Sequence, residues 1–444
     1  MIPRVLQLLL PIFTIGLFTF CSGESEEDTG DGEQVNTDFT YDFSEIYPLK
    51  SIHPPLENAN VPVEEMEVNN DQEYQVVMES GSFIDIPKDA FVDENGELIT
   101  SPVKLQYREF HDPTEFLVSG IPMALSGDEN GVEIFESAGM IEINATADGK
   151  PVFPNEDNPV LIGMGSNVDG NYPLYKFEEE EGWSDPDSLD LMNEEDMDEL
   201  AQERIPSAPV LNTGSLRLFT ISDETVDSKP SLEKWRGYEF LPLDMDKSNK
   251  LWSRYISDIS VKHVRGHDYI LTITEWGNEP MDLPVIRVYD SKNHAKVYEE
   301  WKKKYWKKRR LQRSLEKARD KLKRKKNLYL RSFEIASFGI FNCDRASRVQ
   351  FADFTYEING EQSADWNVYC VDFTIPAKYP CIYGGKIGID PYNDYALFSK
   401  REDGVYIATV KECENAFKND HFNFKLKKIA DDITLEELGP KLVQ

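Results

Sequence analysis

The sequence predicts a mainly β protein, built of antiparallel β-sandwich domains with one inserted long basic α-helix. Three observations support this fold class. Apolar and polar residues alternate with period two in many short segments, which is typical of strands with one buried face. The tetrapeptide Asp-Glu-Asn-Gly occurs at 93–96 and again at 128–131, and Asn-Gly favours the tight turn of a β-hairpin. No glycine or proline lies between Pro284 and Gly339, so a long helix is expected there.

Length, composition and charge limit the classes of function. The 444-residue chain carries 48 Lys and Arg against 81 Asp and Glu, for a net charge of −33, and 40% of its residues are hydrophobic. That apolar fraction is sufficient for two or three packed cores. The negative mean field repels polyanions, so no specific nucleic acid is expected as a partner. A single apolar segment approaches the length of a membrane span, which excludes a polytopic membrane protein.

Residues 1–20 have the pattern of a signal peptide. Arg4 precedes a mostly apolar run from 5 to 20, and Cys21 follows that run directly. This arrangement resembles a bacterial lipoprotein signal, which implies that Cys21 receives lipid and becomes the first residue of the mature chain. An ordinary cleaved signal peptide and a retained anchor helix are the two alternatives.

Residues 21–72 are predicted to form an acidic tether. Six acids and no base occupy positions 22–33, so a solvated, self-repelling spacer is expected, with one early strand at 39–43. An acidic patch after a lipidated cysteine resembles the surface-export signal of Bacteroidota lipoproteins. The resemblance implies a protein that is lipid-anchored to the bacterial outer membrane and exposed at the cell surface.

The predicted N-terminal β-sandwich domain covers 73–222. Segment 177–203 interrupts it with 13 acids and no Lys or Arg, so a solvated acidic loop is expected there, with a short helix at 191–202. The predicted strands of this domain are 74–78, 83–87, 103–110, 140–145, 160–164 and 215–221.

Three further segments complete the predicted organisation: a β-rich middle segment at 223–290, a long basic helix at 291–328 and a C-terminal β-rich domain at 329–444. In the helix, Leu311, Leu315, Ala318 and Leu322 recur at heptad-like spacing, which is typical of a short coiled-coil seam. The predicted strands are 256–264 and 269–276 around a hairpin turn, then 332–340, 351–358, 367–375, 386–389 and 404–410. Helical turns are predicted near 412–418 and 435–438.

Three segments carry a family resemblance. They are IPKDAF (86–91) with the strand ending REF (108–110), SGIPM (119–123) with ESAGM (136–140), and FGIFNCDR (338–345). Together they resemble a family of large, uncharacterised Bacteroidota surface lipoproteins. The first also resembles the β-sandwich domain shared by ankyrins and netrin receptors. The resemblance implies an envelope location and a β-sandwich body, and it implies no reaction.

Four cysteines remain after Cys21, and all lie in the C-terminal quarter. An exported domain of this kind is expected to form at least one disulfide, and the sequence leaves three pairings open. There is no CxxC pair, so a structural zinc site is not expected. The thiol beside Asp344 and Arg345 could be reactive, but a structural role is favoured. The four cysteines are Cys343, Cys370, Cys381 and Cys413.

No metal or cofactor is predicted. His263 and His267 flank a hairpin turn, and a turn does not align residues at i and i+4 as a helix would. The acidic loop that starts at Asp185 lacks the glycine and the final glutamate of an EF-hand. A weaker, irregular calcium site among its acids is the alternative.

Catalytic motifs are missing from the sequence. It contains no GxSxG, no HExxH and no Walker-type phosphate loop. Ser231 and Ser314 begin SxxK matches, but the companion motifs do not occur. No catalytic residue is therefore predicted, and a carboxylate pair for glycoside hydrolysis cannot be named among 81 acids.

The basic helix is the most specific feature of the chain. From Lys302 to Lys326 it contains 15 Lys and Arg against two acids. One interpretation is that it binds an anionic surface polymer, with nearby aromatic residues adding stacking. The candidate anion-binding residues are Lys302, Lys303, Lys304, Lys307, Lys308, Arg309 and Arg310.

Two other interpretations of the helix are open. It could be a solvated helix whose charge repels other helices, or it could dock on the acidic segment 177–203, whose charge it nearly matches. The order of preference is solvation, then docking, then anion binding.

The sequence thus predicts a non-catalytic lipoprotein with a binding or structural role in the bacterial envelope. Its expected partners are the membrane, through the lipid, and an anionic surface polymer or an envelope protein. The alternative is an envelope-associated hydrolase acting on glycans or peptides.

Overall fold

The computed structural model describes residues 50–125, 133–184, 187–189, 191–251, 256–275, 279–322, 324, 328–347, 351–362, 367–381, 386–388, 393–418 and 423–444. The predicted signal peptide, Cys21, the strand at 39–43 and the second Asp-Glu-Asn-Gly turn lie outside these residues. Within the described part of the chain, no helix is both long enough and apolar enough to cross a membrane.

The elements follow in chain order. Before the long helix the strands are β1 (Glu64–Val68), β2 (Tyr74–Val77), β3 (Phe83–Ile86), β4 (Phe91–Val92), β5 (Val103–Phe110), β6 (Ala124–Leu125), β7 (Glu133–Ala147), β8 (Lys150–Pro151), β9 (Phe153–Pro154), β10 (Val160–Ser166), β11 (Leu174–Glu178), β12 (Gly182–Trp183), β13 (Leu191–Met192), β14 (Val210–Leu211), β15 (Phe219–Thr220), β16 (Glu239–Pro242), β17 (Ile256–Arg265), β18 (Asp268–Glu275) and β19 (Met281–Tyr289). After it come β20 (Tyr329–Ile335), β21 (Gly339–Ser347), β22 (Phe351–Asp353), β23 (Thr355–Ile358), β24 (Val368–Asp372), β25 (Ala377–Cys381), β26 (Lys386–Gly388), β27 (Tyr395–Arg401), β28 (Gly404–Ala408) and β29 (Asn423–Ala430). The α-helices are α1 (Pro113–Ser119), α2 (Glu194–Gln202), α3 (Asp223–Ser228), α4 (Met245–Leu251), α5 (Ser291–Leu322), α6 (Val410–Lys418) and α7 (Leu435–Val443), with a 3-10 helix at Pro230–Trp235.

Two antiparallel sheets form the first β-sandwich. One has the order β1-β5-β7-β21-β11-β12, and the other has the order β13-β20-β10-β3-β2. Ile84 and Ile162 of the second sheet share one buried cluster with Leu105 and Ile143 of the first. The alternating pattern of the sequence therefore places one apolar face of each sheet in a common core. The predicted fold class, mainly β with antiparallel sheets and one long helix, is confirmed.

The first sandwich contains strands from both sides of the long helix. Ile162 of β10 pairs with Phe333 of β20, and Gly139 of β7 pairs with Cys343 of β21. The predicted boundary at 329 therefore lies too early, because residues up to 347 belong to this sandwich. The strand predicted at 332–340 is in fact parts of two strands in different sheets, which join at the turn before Gly339.

The predicted tether is also too long. Leu56 and Ala59 are buried against the helix residue Leu117, and Met66 of β1 pairs with Leu105 of β5. Residues from about 50 onward thus pack on the folded body.

The middle segment forms a single sheet with the order β15-β16-β19-β18-β17, and β14 pairs with β19 in parallel. Its buried side includes Trp235 of the 3-10 helix packed on Phe240, Tyr269 and Leu271 of the sheet. The predicted hairpin is present, because β17 and β18 meet at the turn around Gly266. This turn faces the long helix across a shared cavity.

The C-terminal sheet has the order β23-β29-β28-β27-β24-β25 and contains one parallel pair, β23 with β29. Helices cover both of its faces. Cys413 of α6 packs with Cys370 on one face, and Leu438 of α7 packs with Val371 and Phe398 on the other. Period-two alternation predicts these strands but does not distinguish a facing sheet from a facing helix.

The long helix α5 has 32 residues, which corresponds to about 48 Å of length. Leu315 and Ala318 are buried, and Leu315 packs on Phe83 and Leu161 of the first sandwich together with Met197 of α2. The predicted coiled-coil seam therefore packs on a sheet and a short helix. The exposed basic residues of α5 lie on its other faces, so they do not interfere with this packing.

A buried ion pair fixes α5 on the sandwich. Arg310 Nε donates to Asp85 Oδ1 at 2.8 Å, and its two terminal nitrogens donate to the carbonyl oxygens of Asp85 and Pro159, each at 2.8 Å. Ser314 Oγ donates to the other carboxylate oxygen of Asp85 at 3.2 Å. Both charged side chains are less than one-tenth exposed, so a good hydrogen-bond geometry is needed to offset their desolvation.

Asp85→Ala is expected to destabilise the chain by about 3–5 kcal/mol, because it leaves the Arg310 guanidinium buried without its counter-charge. Urea unfolding followed by tryptophan fluorescence measures the effect. Arg309→Ala, one residue away on an exposed position, is the matched control and should change stability by less than about 0.5 kcal/mol. Equal midpoints for the two variants would contradict the role given to the ion pair.

Candidate anion-binding surface

The structure separates the seven predicted anion-binding residues into two groups. Arg310 is buried in its ion pair with Asp85, and Lys308 is half-buried beside Glu203. The prediction that Arg310 binds a ligand is therefore wrong, because its guanidinium faces the sandwich and all three of its nitrogens are engaged. The residues that remain exposed are Lys302, Lys303, Lys304, Lys307 and Arg309.

The predicted docking of the helix on the acidic segment is formed, but it depends little on charge. Gln312 Nε2 donates to the carbonyl oxygens of Leu200 and Glu203 at 2.8 and 2.7 Å. Leu200 packs in the same apolar cluster as Leu315. Among the ion pairs of the described residues, Glu203 with Lys308 is the one that joins this segment to α5.

Acids of the sandwich supply most of the charge partners of the C-terminal half of α5. Arg313 lies 2.6 Å from Glu73, and Lys321 lies 2.6 Å from Glu79. Together with Asp85 these acids come from β2, β3 and the loops beside them. The sequence did not indicate them, because they are scattered singly along the chain and do not form an acidic run.

The solvent face of α5 presents a row of cations around one tryptophan. Lys302, Trp306 and Arg309 follow at i, i+4 and i+7, so they lie on one face of the helix. Trp306 is 47% exposed and contacts Tyr305 edge-on at a centroid distance of 5.1 Å. Lys303 is exposed beside this row. No acid pairs with Lys302, Lys303 or Arg309 among the described residues, so their charge is available to an external anion.

Next to this row, a cavity of about 230 Å³ lies between α5 and the hairpin turn of the middle sheet. Ile205, Pro206 and Val297 form its apolar wall, and Trp301 and Tyr305 add aromatic surface. Trp301 Nε1 donates to the Pro206 carbonyl oxygen at 3.1 Å, which fixes the indole against segment 205–206.

The hairpin closes the other side of the cavity. Gly266 has φ of +51°, and a Cβ atom at this position would lie 2.8 Å from Pro206 Cβ. A larger residue would therefore push the turn away from segment 205–206. His267 follows, and its Nδ1 contacts Tyr289 Oη at 3.0 Å. Burial, followed by the nearby charge of Arg287, lowers the pKa of His267, so the imidazole is neutral at neutral pH.

Polar groups lie on the helix side of the cavity. Lys304 and Lys308 are one turn apart and line it together with Glu300. Since Lys308 already contacts Glu203, Lys304 is the cation that remains for a ligand. The sequence identified these lysines, but it did not indicate the cavity, whose walls come from segments about 60 and 90 residues apart in the chain.

The segments that carried the family resemblance meet inside the first sandwich. Ser137 pairs with Asp344 at a β-bulge, and Ser137 Oγ donates to Asn342 Oδ1 at 2.8 Å. Burial raises the pKa of Asp344 well above its ordinary value, which favours the neutral carboxyl. Burial also raises the pKa of the Cys343 thiol. The nucleophilic thiolate form is therefore not accessible, and this cluster is a structural network.

The predicted disulfide is not formed. All four cysteines are free thiols, and all four are buried. Cys343 lies in the sandwich core, whereas the other three lie in the core of the C-terminal sheet. Cys381 pairs in register with Val368, two residues from Cys370. A diagonal placement of this kind separates side chains by about 7 Å, which is too far for a disulfide.

The histidine pair of the hairpin contacts protein groups. His263 Nε2 lies 3.1 Å from the Gly266 carbonyl oxygen, and His267 contacts Tyr289. Within the part of the chain that the structure describes, no group of three potential metal ligands comes together.

Comparison of the chain with protein-family models, with curated proteins and with solved structures finds no match.

One buried base lies apart from this surface. Lys378 of β25 is 2% exposed and faces the same side of the C-terminal sheet as Val371. Burial lowers its pKa to about 7. No carboxylate pairs with it among the described residues, and its ammonium lies 5.9 Å from the centre of the Tyr369 ring.

The burial of Lys378 makes stability depend on pH. From about pH 7 to its ordinary value of 10.5, the unfolded chain holds the proton and the folded chain does not, so stability rises with pH. The rise should be roughly 2–3 kcal/mol between about pH 7 and 9, at ~1.4 kcal/mol per unit. Urea unfolding across this range measures it. Lys378→Met should remove the rise and stabilise the chain near pH 7, whereas Lys411→Met, at an exposed helix position, should keep it. A rise that persists in Lys378→Met would contradict this assignment.

Proposed function

We propose that this protein is a non-catalytic lipoprotein of the bacterial cell surface that binds an anionic polysaccharide through α5. The observation that carries the proposal is the exposed row of Lys302, Trp306 and Arg309. The opposite face of the same helix is buried at Leu315 and Ala318, and Arg310, beside the row, is held by its ion pair with Asp85. A rigidly held row of unpaired cations binds anions more tightly than a mobile one, because little order is lost on binding.

The charge distribution supports an anionic ligand. The chain as a whole has a net charge of −33 and on average repels anions. The cations of α5 form a locally positive surface on this acidic protein. A chain that carries one carboxylate or phosphate on each repeating unit can follow the helix axis and contact several lysines at once. An exposed tryptophan in such a row supports binding of sugar rings, whose C–H faces pack on aromatic surfaces.

The envelope location is supported by the N-terminal sequence. The apolar run that ends at Cys21 and the acidic residues after it fit a lipid-anchored, surface-exported chain. The resemblance of three segments to Bacteroidota surface lipoproteins agrees with this location.

The ligand is tested with alginate as the anionic polymer and dextran as the neutral one, using the full chain. The variant Lys302→Glu/Lys303→Glu/Arg309→Glu is expected to weaken alginate binding by at least about tenfold, because three attractive charges become repulsive. Wild-type binding should fall between about 20 and 500 mM salt. Calorimetric titration measures both effects.

The matched control is Lys88→Glu/Lys150→Glu/Lys411→Glu. These three lysines are also exposed but lie elsewhere, so the net charge changes equally while the row stays intact. Equal loss of binding in both triple variants would show that net charge alone decides the affinity and would overturn the assignment to α5. Dextran binding as tight as alginate binding would also overturn it.

The anchor is tested separately. Cys21→Ala is expected to move the protein from the detergent phase to the aqueous phase in phase partitioning, because the acceptor of the lipid is removed. Ser22→Ala, the adjacent residue, should leave partitioning unchanged. Mass analysis of the wild-type N-terminus should find lipid on Cys21, and a chain without lipid, or one protected from protease on intact cells, would contradict the proposed location.

A further inference from the structure

We propose that the cavity between α5 and the β17–β18 turn binds one sugar-acid ring, a hexuronate unit, with its carboxylate on Lys304. This inference rests on the proposed function, since it names the unit of the polysaccharide that is recognised.

The size of the cavity selects a single ring. Its volume of about 230 Å³ lies below the ~300–1,000 Å³ of pockets that hold drug-sized ligands. A polymer therefore enters with one residue, and the rest of the chain stays outside, where α5 continues as the exposed row around Trp306.

The walls suit the two sides of a pyranose ring. Val297 and Trp301 lie one turn apart on α5 and face Pro206, so apolar surface is available for the C–H groups of a ring. The aromatic rings of α5 pack on one another, with Trp301 and Tyr305 only 4.7 Å apart. Their faces are thus partly covered and their edges, which carry partial positive charge, are available to an anionic ligand.

The polar groups supply both kinds of hydrogen bond that a sugar acid requires. The Lys304 ammonium donates to a carboxylate, and the Glu300 carboxylate accepts from ring hydroxyls. His267 is neutral and uses Nδ1 on Tyr289, which leaves Nε2 for a hydroxyl. A purely aromatic acid has no hydroxyl group to donate to Glu300, and its carboxylate would lie near the negative charge of Glu300. The cavity therefore favours the hydroxylated ring.

The test is titration of the full chain with glucuronate, glucose and benzoate. Glucuronate should bind more tightly than either of the others, because only glucuronate offers a carboxylate together with hydroxyls. Lys304→Gln should weaken glucuronate by about tenfold through loss of a charged hydrogen bond. Lys296→Gln, at an exposed position of the same helix outside both the cavity and the exposed row, is the matched control and should change the affinity less than about twofold.

A second variant tests the cavity without changing charge. Val297→Phe should fill the space and abolish glucuronate binding while the circular dichroism spectrum is unchanged. Alginate binding should weaken but persist through the exposed row. If Val297→Phe does not fold, the comparison of Lys304→Gln with Lys296→Gln still decides the question.

The outcomes separate this inference from the proposed function. Alginate binding that depends on Lys302, Lys303 and Arg309, without any glucuronate binding that Lys304→Gln weakens, overturns the cavity assignment and leaves the proposed function standing. Benzoate binding that equals or exceeds glucuronate binding overturns the sugar assignment. If neither triple variant loses alginate binding, the proposed function itself is overturned.

Discussion

The buried pair of Arg310 and Asp85 is the constraint on which the functional surface depends. Its three hydrogen bonds join one side chain of α5 to a carboxylate and to two backbone carbonyl groups of the sandwich. A contact of this kind fixes both the position of the helix along its axis and its rotation. A helix rotated by one residue, ~100°, would turn the exposed cations toward the sheet. The ion pair thus contributes more to the placement of the helix than to net stability, since buried pairs gain little over apolar contacts.

The position of this pair also explains how an acidic protein presents a basic surface. In the C-terminal half of α5, Arg313 and Lys321 are neutralised by single acids of the sandwich. In the N-terminal half, the helix leaves the sandwich and passes the middle sheet, where the hairpin offers His267 and few acids. Fewer acids therefore neutralise the positive charge of α5 toward its N-terminus, and the cavity lies along that part of the helix. Net charge alone would have predicted repulsion of every anion.

The sequence predicted individual elements better than their partners. The long helix begins at Ser291 as predicted, and the strand at Val103–Phe110 and the short helix within 191–202 are both confirmed. Alternation identifies which face of a strand is buried, but not which strand lies beside it, so β20 and β21 were assigned to the wrong domain. Arg310 was misassigned because the sequence reports its charge and not its direction. Its position beside the Leu311–Leu315 seam was the available indication that it lies on the docking side.

The completion of the first sandwich by β20 and β21 has a consequence for how the chain is made. Gly139 and Cys343 become neighbours although 204 positions separate them, so the central strands β7 and β10 remain open edges until the chain has been produced as far as residue 347. Contacts of such high sequence separation form slowly, and open strand edges in the meantime favour aggregation. The core of the first domain can therefore close only after nearly four-fifths of the chain is present. A truncation anywhere before β21 removes this core and not only the last domain.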